Sequence, residues 1–391
     1  MSFTFLHTAD WQLGKPFASM RDEAKRHRVQ EERVEAVRRL GKVVQETGAR
    51  MVMVAGDLFD SSKATKATVS AACAAIGSLK VPVVVIPGNH DHGGPGSIWD
   101  QAFFLREQRE LAPNLTVLLK AEPVVFEEVG VVVLPAPLLR RFESGDPTGW
   151  LRSFDFDGME LPRVVLAHGT VQGFGSAQQQ EDEEEMGGSV ANWIEVSRLP
   201  LEALDYVALG DWHGAKKIGD KVWYAGTPEV DRFPRGEGND PGNVLKVTVA
   251  RGDLPVVEKV ATAKLQWREM AMAFSEDAGL DLLGSRLEEM VGTRGAEFLL
   301  RLTVEGVLGI EAAGRLEQML ESWESRLLRL KLENRVMMAP SEEELEGLTR
   351  RADDPLVAAV AGQLVEQLAG GDEVARVALR ELHAACVAVR G

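Results

Sequence analysis

Short apolar runs, each followed at once by polar residues and glycine, recur through the first half of the chain. Phe3–Leu6 leads into HTADWQ (7–12), Met51–Ala55 into GDLFD (56–60) and Val81–Ile86 into PGNHD (87–91). Val164–Ala167 leads into HG (168–169), and Tyr206–Leu209 into GDWHG (210–214). Short runs rich in β-branched residues and bounded by Gly or Pro predict buried strands. Between the first two runs, Val29, Ala36, Val37, Leu40 and Val44 share one helical face, and a second helix is expected near 68–79. Strand–helix–strand alternation predicts an α/β fold whose sheet is buried on both faces. Ligands of such sheets gather beyond the carboxyl ends of the strands, where the polar clusters fall.

The pattern then changes. Residues 222–264 carry short strand-like runs (VWYAG, NVLKVTV, PVVEKV) separated by turns such as GNDPGN, and beyond Gln266 the first-half pattern stops. A strand is expected over 297–304. Leu316, Leu320, Trp323, Leu327 and Leu330, four and three residues apart, predict a helix beginning after Gly314. Val357, Val360, Leu364 and Leu368 mark another helix, and Val374, Val377, Leu382 and Val389 a last one. Ordinary core packing accounts for these stripes. At 391 residues the chain has room for two to three domains.

Charge narrows the function classes. With 60 Asp+Glu against 44 Lys+Arg the net charge is −16, which argues against a polybasic nucleic-acid binder but leaves room for a nuclease with one local basic stripe. Cys73 and Cys386 are too few and too far apart for a disulfide framework or a cysteine metal site, and buried free thiols are expected. The opening MSFTFLHTADWQ lacks a basic stretch followed by a long apolar one, and no apolar run approaches a membrane span, so a cytoplasmic location is expected.

Seven residues at the ends of five strands could converge on one pocket: Asp10, Gln12, Asp57, Asn89, His168, Asp211 and His213. Singly, each has an ordinary reading, as a cap, a turn residue or a structural histidine. Together, carboxylates, amides and imidazoles suit Mn²⁺, Fe²⁺ or Zn²⁺, with donors for two ions if one carboxylate bridges.

The strings DWQ (10–12), GDLFD, GNHD (88–91), AHG (167–169) and GDWHG resemble the calcineurin-like metallophosphoesterase superfamily. HTADWQLGKPF, VAGDLFD and VIPGNHD are most similar to its DNA repair exonucleases of the SbcD type. The resemblance covers residues 1–265. It implies a four-layer α/β/β/α sandwich there, a smaller α+β capping domain over 266–340 and a helical segment over 341–391. It further implies that Asp10, Gln12, Asp57 and His213 hold one metal, and that Asp57, Asn89, His168 and Asp211 hold a second. His90 would be the non-ligand histidine at the leaving oxygen. Two positions depart from the family pattern: Gln12 and Asp211 stand where histidines are usual. The harder, more negative shell should favour Mn²⁺ foremost, with Mg²⁺ or Fe²⁺ next, over Zn²⁺.

Between Lys15 and Lys42 lie nine Lys/Arg against five Asp/Glu, and Lys15, Arg21, Lys25, Arg26 and Arg28 directly follow the first motif. They are the candidate DNA contacts, with Arg140–Arg141, Lys216–Lys217, Arg232 and Arg235 as further ones; a solvated helix face is the plainer alternative for any one of them. The run EDEEE (181–185) is expected to be a solvated loop. From Gln266 onward there are 14 basic and 23 acidic residues, a poorer surface for DNA than for a protein. The resemblance implies a coiled-coil, SMC-like ATPase of the SbcC type docking on the final helices, and is compatible with a homodimer. The expectation is therefore a metal-dependent phosphodiesterase acting on DNA ends or single strands. The alternatives are a phosphoesterase for small phosphate esters or cyclic nucleotides, and a non-catalytic subunit with a degenerate site.

Overall fold

Alternation of side chains along each apolar run decides how the first unit is layered. In the second run Met51, Met53 and Ala55 point one way and Val52 and Val54 the other, and all five are buried. A strand buried on both faces has to lie inside a stack of layers. The computed structural model describes residues 2–171, 191–234, 239–338, 342–351 and 354–390, in two units, Met1–Leu265 and Gln266–Gly391.

The strands of the first unit begin with β1 (Ser2–Thr8), β2 (Val52–Ala55), β3 (Val83–Ile86), β4 (Leu115–Val117) and β5 (Val124–Phe126). They continue with β6 (Val131–Ala136), β7 (Arg163–His168), β8 (Thr170–Val171), β9 (Trp193–Ile194) and β10 (Tyr206–Gly210). The last are β11 (Lys216–Lys217), β12 (Val222–Tyr224), β13 (Asn243–Ala250) and β14 (Val256–Ala261). Among the described residues its α-helices are α1 (Glu23–Thr47), α2 (Lys66–Ser78) and α3 (Ala102–Leu111).

Two six-stranded sheets form, in the orders β14-β13-β1-β2-β3-β4 and β11-β12-β10-β7-β6-β5. Strands β1 to β4 run parallel, as do β6, β7, β10 and β12, while β13, β14, β5 and β11 are antiparallel to their neighbours. Phe3, Phe5, Met51, Met53, Val84 and Ile86 of the first sheet pack against Val131, Val133, Val164, Leu166 and Tyr206 of the second. On the first sheet's other face, Leu6, Val52, Val54, Val83 and Val85 meet Val37, Leu40, Val69 and Ile76 of α1 and α2. Among the described residues, the second sheet's outer face is covered by short 3-10 turns and loops that bring in Leu151, Leu199 and Leu204. Asp22 caps α1 by accepting from the Lys25 N–H, and Gly48 ends it in a left-handed conformation (φ 67°) that suits glycine. Cys73 is a buried free thiol and Cys386 a half-buried one.

In the second unit β15 (Gln266–Phe274), β16 (Phe298–Leu308) and β17 (Arg329–Met338) form a parallel sheet joined by α4 (Gly279–Val291) and α5 (Ile310–Arg326). Helices α6 (Glu342–Thr349), α7 (Pro355–Ala369) and α8 (Glu373–Arg390) follow. The stripe from Leu316 to Leu330 does not lie on one helix. It begins in α5, which starts at Ile310 and keeps Gly314 inside it, and crosses into β17 at Leu330. The N–H groups of Ile310 and Glu311 are accepted by Glu344, which fixes that earlier start. The spacing persists past the helix end because Leu316, Leu320, Trp323, Leu327 and Leu330 all pack on one core. Among the described residues no helix is long and apolar enough to cross a membrane.

Candidate metal centre

The loops after β1, β2 and β10 turn so sharply that four of their polar residues adopt positive φ: Asp10 at 54°, Gln12 at 41°, Asp57 at 55° and Asp211 at 104°. Such backbone is uncommon outside glycine, though Asp tolerates it, and it persists only where surrounding contacts hold it. Those contacts join loop to loop. The Asp10 N–H donates to the Gly56 carbonyl (3.1 Å) and the Gln12 N–H to the Asp57 carbonyl (2.9 Å). The Asp211 N–H lies 3.2 Å from both Asp10 carboxylate oxygens.

Two supports lie beneath these loops. Arg33, buried on α1, donates from Nε to the Trp11 carbonyl (2.9 Å), from Nη2 to the Asp10 carbonyl (3.0 Å), and to Thr227 Oγ1 (3.2 Å). Asp91, fully buried, accepts from the Gly88 N–H (2.7 Å) and the Phe59 N–H (3.0 Å), tying the loop after β3 to that after β2. Gly88 passes so close to Asp57 that a Cβ there would stand 2.1 Å from Oδ1.

Asp10, Asp57 and His168 are buried, with ligand atoms all within 4.8 Å of one another. His168 Nδ1 donates to the Ala55 carbonyl (2.8 Å), so the ring presents Nε2 to the pocket. Around Nε2 stand Asn89 Oδ1 at 3.1 Å, Asp57 Oδ2 at 3.6 Å and Asp211 Oδ1 at 3.7 Å. Thr170 Oγ1 donates to Asp211 Oδ2 (2.8 Å) and steadies it. Five predicted ligands thus surround one point.

The other two, Gln12 and His213, take part in a second set of contacts. Lys15 Nζ donates to Gln12 Oε1 (2.7 Å) and to Asp231 Oδ2 (2.6 Å). Gln12 Nε2 lies 3.4 Å from His213 Nε2, and His213 Nδ1 lies 3.2 Å from Asp231 Oδ2. Arg232 Nη2 is 3.2 Å from His213 Nδ1.

Electrostatics follows the geometry. Burial raises the Asp10 carboxyl well above its usual range, and the Asp57 and Asp211 charges add to it against His168. Burial would raise Asp57 too, but His168 and His90 hold it below the ordinary value. Burial would lower His168, yet Asp57, Asp10 and Asp211 lift it to about 9. Burial and the neighbouring Arg232 push His213 down to about 3, so its ring is neutral. Three acidic side chains about one imidazole in a desolvated pocket are a donor set that fits a divalent cation, which would take the place of the proton on His168.

His90 sits at the rim. Its N–H donates to Asp57 Oδ1 (3.0 Å) and its Nδ1 donates to the Asp60 carbonyl (2.8 Å). Burial opposes the protonated ring, but Asp57 and the Asp60 carbonyl raise its pKa. Of the basic residues after the first motif, Arg21 and Arg28 are exposed, while Lys25 and Arg26 are half-buried on the first turns of α1, Arg26 donating to the Met20 carbonyl (3.1 Å). Lys15 is the exception, since its ammonium is turned inward. Arg140 and Arg141 are exposed, Lys216 stacks over Trp212 and Lys217 pairs with Asp220. Arg235 and the run 181–185 lie outside the described residues. Sequence reasoning passed over Arg33, Asp91, Asp231 and Thr170; of these only Asp91 carries a local signal, as the last residue of GNHD.

A crystal structure of TT1561 of Thermus thermophilus is similar to 67% of this chain and 100% of its own, at 14% identity and a TM-score of 0.38. A second crystal structure matches 66% of this chain and 99% of its own, at 13% identity and a TM-score of 0.39. The sequence profile described as calcineurin-like phosphoesterase matches residues 3–240, which include all seven candidate ligands and His90. This chain belongs to the calcineurin-like phosphoesterase family.

Proposed function

We propose that the protein is a divalent-metal-dependent phosphodiesterase acting on DNA, as a nuclease subunit beside an SMC-like ATPase. The observation that carries the hydrolytic part is the buried trio Asp10, Asp57 and His168 with His90 hydrogen-bonded to the same Asp57 carboxylate. These residues, with Asn89 and Asp211, would hold a divalent ion, which would supply Lewis acidity toward phosphate oxygens and a water of lowered pKa. The chain's own groups do the rest. Ala55 fixes the His168 tautomer, Thr170 orients Asp211, and Arg33 and Asp91 keep the loops in register. Because His90 gives its Nδ1 proton to the Asp60 carbonyl, Nε2 is the ring atom that can hand a proton to a leaving oxygen. Asp57 and the Asp60 carbonyl favour the protonated ring.

DNA as the substrate is supported by Arg21 and Arg28, which follow the first motif in sequence and are exposed. Docking of a protein partner on the final helices is supported by their exposed apolar residues Leu356 and Val374, 73% and 75% accessible. Mn²⁺-dependent hydrolysis of bis-p-nitrophenyl phosphate, together with cleavage of a linear duplex that survives excess mononucleotide, is the expected result. Hydrolysis of the small ester with no cleavage of DNA would favour a small-molecule phosphoesterase, and silence on both would sink the reading.

A further inference from the structure

The residues around His168 and those around His213 are arranged for different tasks. Near His168 Nε2 the neighbours are oxygen acceptors: Asn89 Oδ1, Asp57 Oδ2 and Asp211 Oδ1. Around His213 the polar atoms close on one another. Lys15 can only donate, so its contact at 2.7 Å identifies Oε1 as the Gln12 amide atom it meets. That orientation turns Gln12 Nε2, a donor, toward His213 Nε2 at 3.4 Å. His213 Nε2 is then an acceptor, and its Nδ1 proton faces Asp231 Oδ2 at 3.2 Å. Asp231 Oδ2 also accepts from Lys15 Nζ at 2.6 Å, which completes the circuit.

Each donor of the ring faces an acceptor, and Arg232 Nη2, 3.4 Å from His213 Nε2, is a second donor to that nitrogen. The two atoms by which Gln12 and His213 would ligate a metal, Oε1 and Nε2, are both already accepting protons. The ring also brings positive charge. The Lys15 ammonium is bonded to Gln12 itself, and the Arg232 guanidinium lies 3.2 Å from His213 Nδ1 and 3.3 Å from Asp231 Oδ1. A second divalent ion would stand beside two fixed cations in a poorly solvated site, where like charges repel most. Both side chains are 22% exposed.

Resting on the phosphodiesterase reading, we propose that this chain holds one divalent ion, bound by Asp10, Asp57, Asn89, His168 and Asp211. The Lys15–Gln12–His213–Asp231 ring takes the place of the second ion expected from the family, and Lys15 and Arg232 present its positive charge to the substrate phosphate. The pairing of Gln12 with Lys15 is then part of one adaptation rather than an isolated loss of a histidine.

The test counts ions. Metal-stripped protein is titrated with Mn²⁺ by calorimetry, and the loaded sample is examined by electron paramagnetic resonance. One equivalent with an uncoupled six-line spectrum is expected; two equivalents with an exchange-coupled spectrum, or none, would overturn the proposal. The double variant Gln12→His with Lys15→Met opens the ring and is expected to bind two equivalents with coupled spins. If it folds, as judged by its melting temperature, and still binds one, the ring is not what displaces the second ion. One bound equivalent without hydrolysis of bis-p-nitrophenyl phosphate would defeat the functional reading and leave this one standing. Hydrolysis with two bound ions would do the reverse.

Discussion

His168 Nδ1 reaches across from β7 to the Ala55 carbonyl at the end of β2, 2.8 Å away, and so links the two sheets through one imidazole. The bond fixes the tautomer and leaves Nε2 facing the carboxylates. His168→Ala removes both the ligand and the inter-sheet link, whereas His168→Asn leaves an amide to fill part of the space. Both are expected to weaken Mn²⁺ binding at least tenfold, by calorimetry, with the alanine variant the less stable on heating.

In metal-free protein the His168 proton is held to about pH 9, against 6.5 for an unfolded chain. The folded state therefore binds more protons between those values. The stability from charged His168 is complete below pH 6.5 and is lost as pH rises through 9. A shift of this size corresponds to a loss on the order of 3 kcal/mol, several degrees in melting temperature. Scanning calorimetry in EDTA should show that fall, and Mn²⁺ should abolish it because the ion replaces the proton. A melting temperature in EDTA that rises over this range would refute the electrostatic description.

Arg33 is buried beneath the first loop and bonds carbonyls of both Asp10 and Trp11. Arg33→Met leaves those carbonyls and the nearby Glu229 and Asp231 charges without it, an expected cost of about 2–4 kcal/mol. Chemical denaturation measures the cost. Weaker Mn²⁺ binding should accompany it, since the Asp10 backbone at φ 54° loses its support.

His90 bonds to Asp57 through its backbone rather than its ring, so the side chain can be removed without removing that contact. His90→Ala should reduce kcat on DNA by about 10²–10⁴ while Mn²⁺ affinity changes less than about threefold. A leaving group of low pKa needs less help, so the defect should be smaller on bis-p-nitrophenyl phosphate. Equal loss of metal affinity and turnover would place His90 among the structural residues instead.

Arg21 and Arg28 are exposed, whereas the Lys15 ammonium is bonded to Asp231. Changing both to Ala should raise KM for DNA, leave hydrolysis of bis-p-nitrophenyl phosphate unchanged and reduce the salt slope of DNA binding by about two. Fluorescence anisotropy over a range of salt concentrations reads the slope.

Much of this architecture could be read from local pattern. The apolar runs before HTADWQ, GDLFD, PGNHD, HG and GDWHG are strands β1, β2, β3, β7 and β10, because a short, continuous apolar run has few alternatives once Gly or Pro bounds it. Their loops bring Asp10, Asp57, Asn89, His168 and Asp211 around one point. What local pattern could not give depends on distant partners. Asp231 meets Lys15 across 216 positions of sequence, and Arg33 reaches Thr227 across 194. Charge and position alone put Lys15 with the DNA-facing residues, and only its partner turns it inward. The end of α5 at Arg326 was hidden for a related reason: helix and strand both place leucines on the same core, so apolar spacing continues across the break.

Degradation of an end-labelled linear duplex in Mn²⁺, with Asp57→Ala and His90→Ala run beside the unaltered protein, tests the proposed nuclease most directly. Cleavage that requires Mn²⁺ and is lost in both variants is the expected result. Cleavage that persists in EDTA or survives Asp57→Ala would contradict a metal-dependent nuclease built on this site.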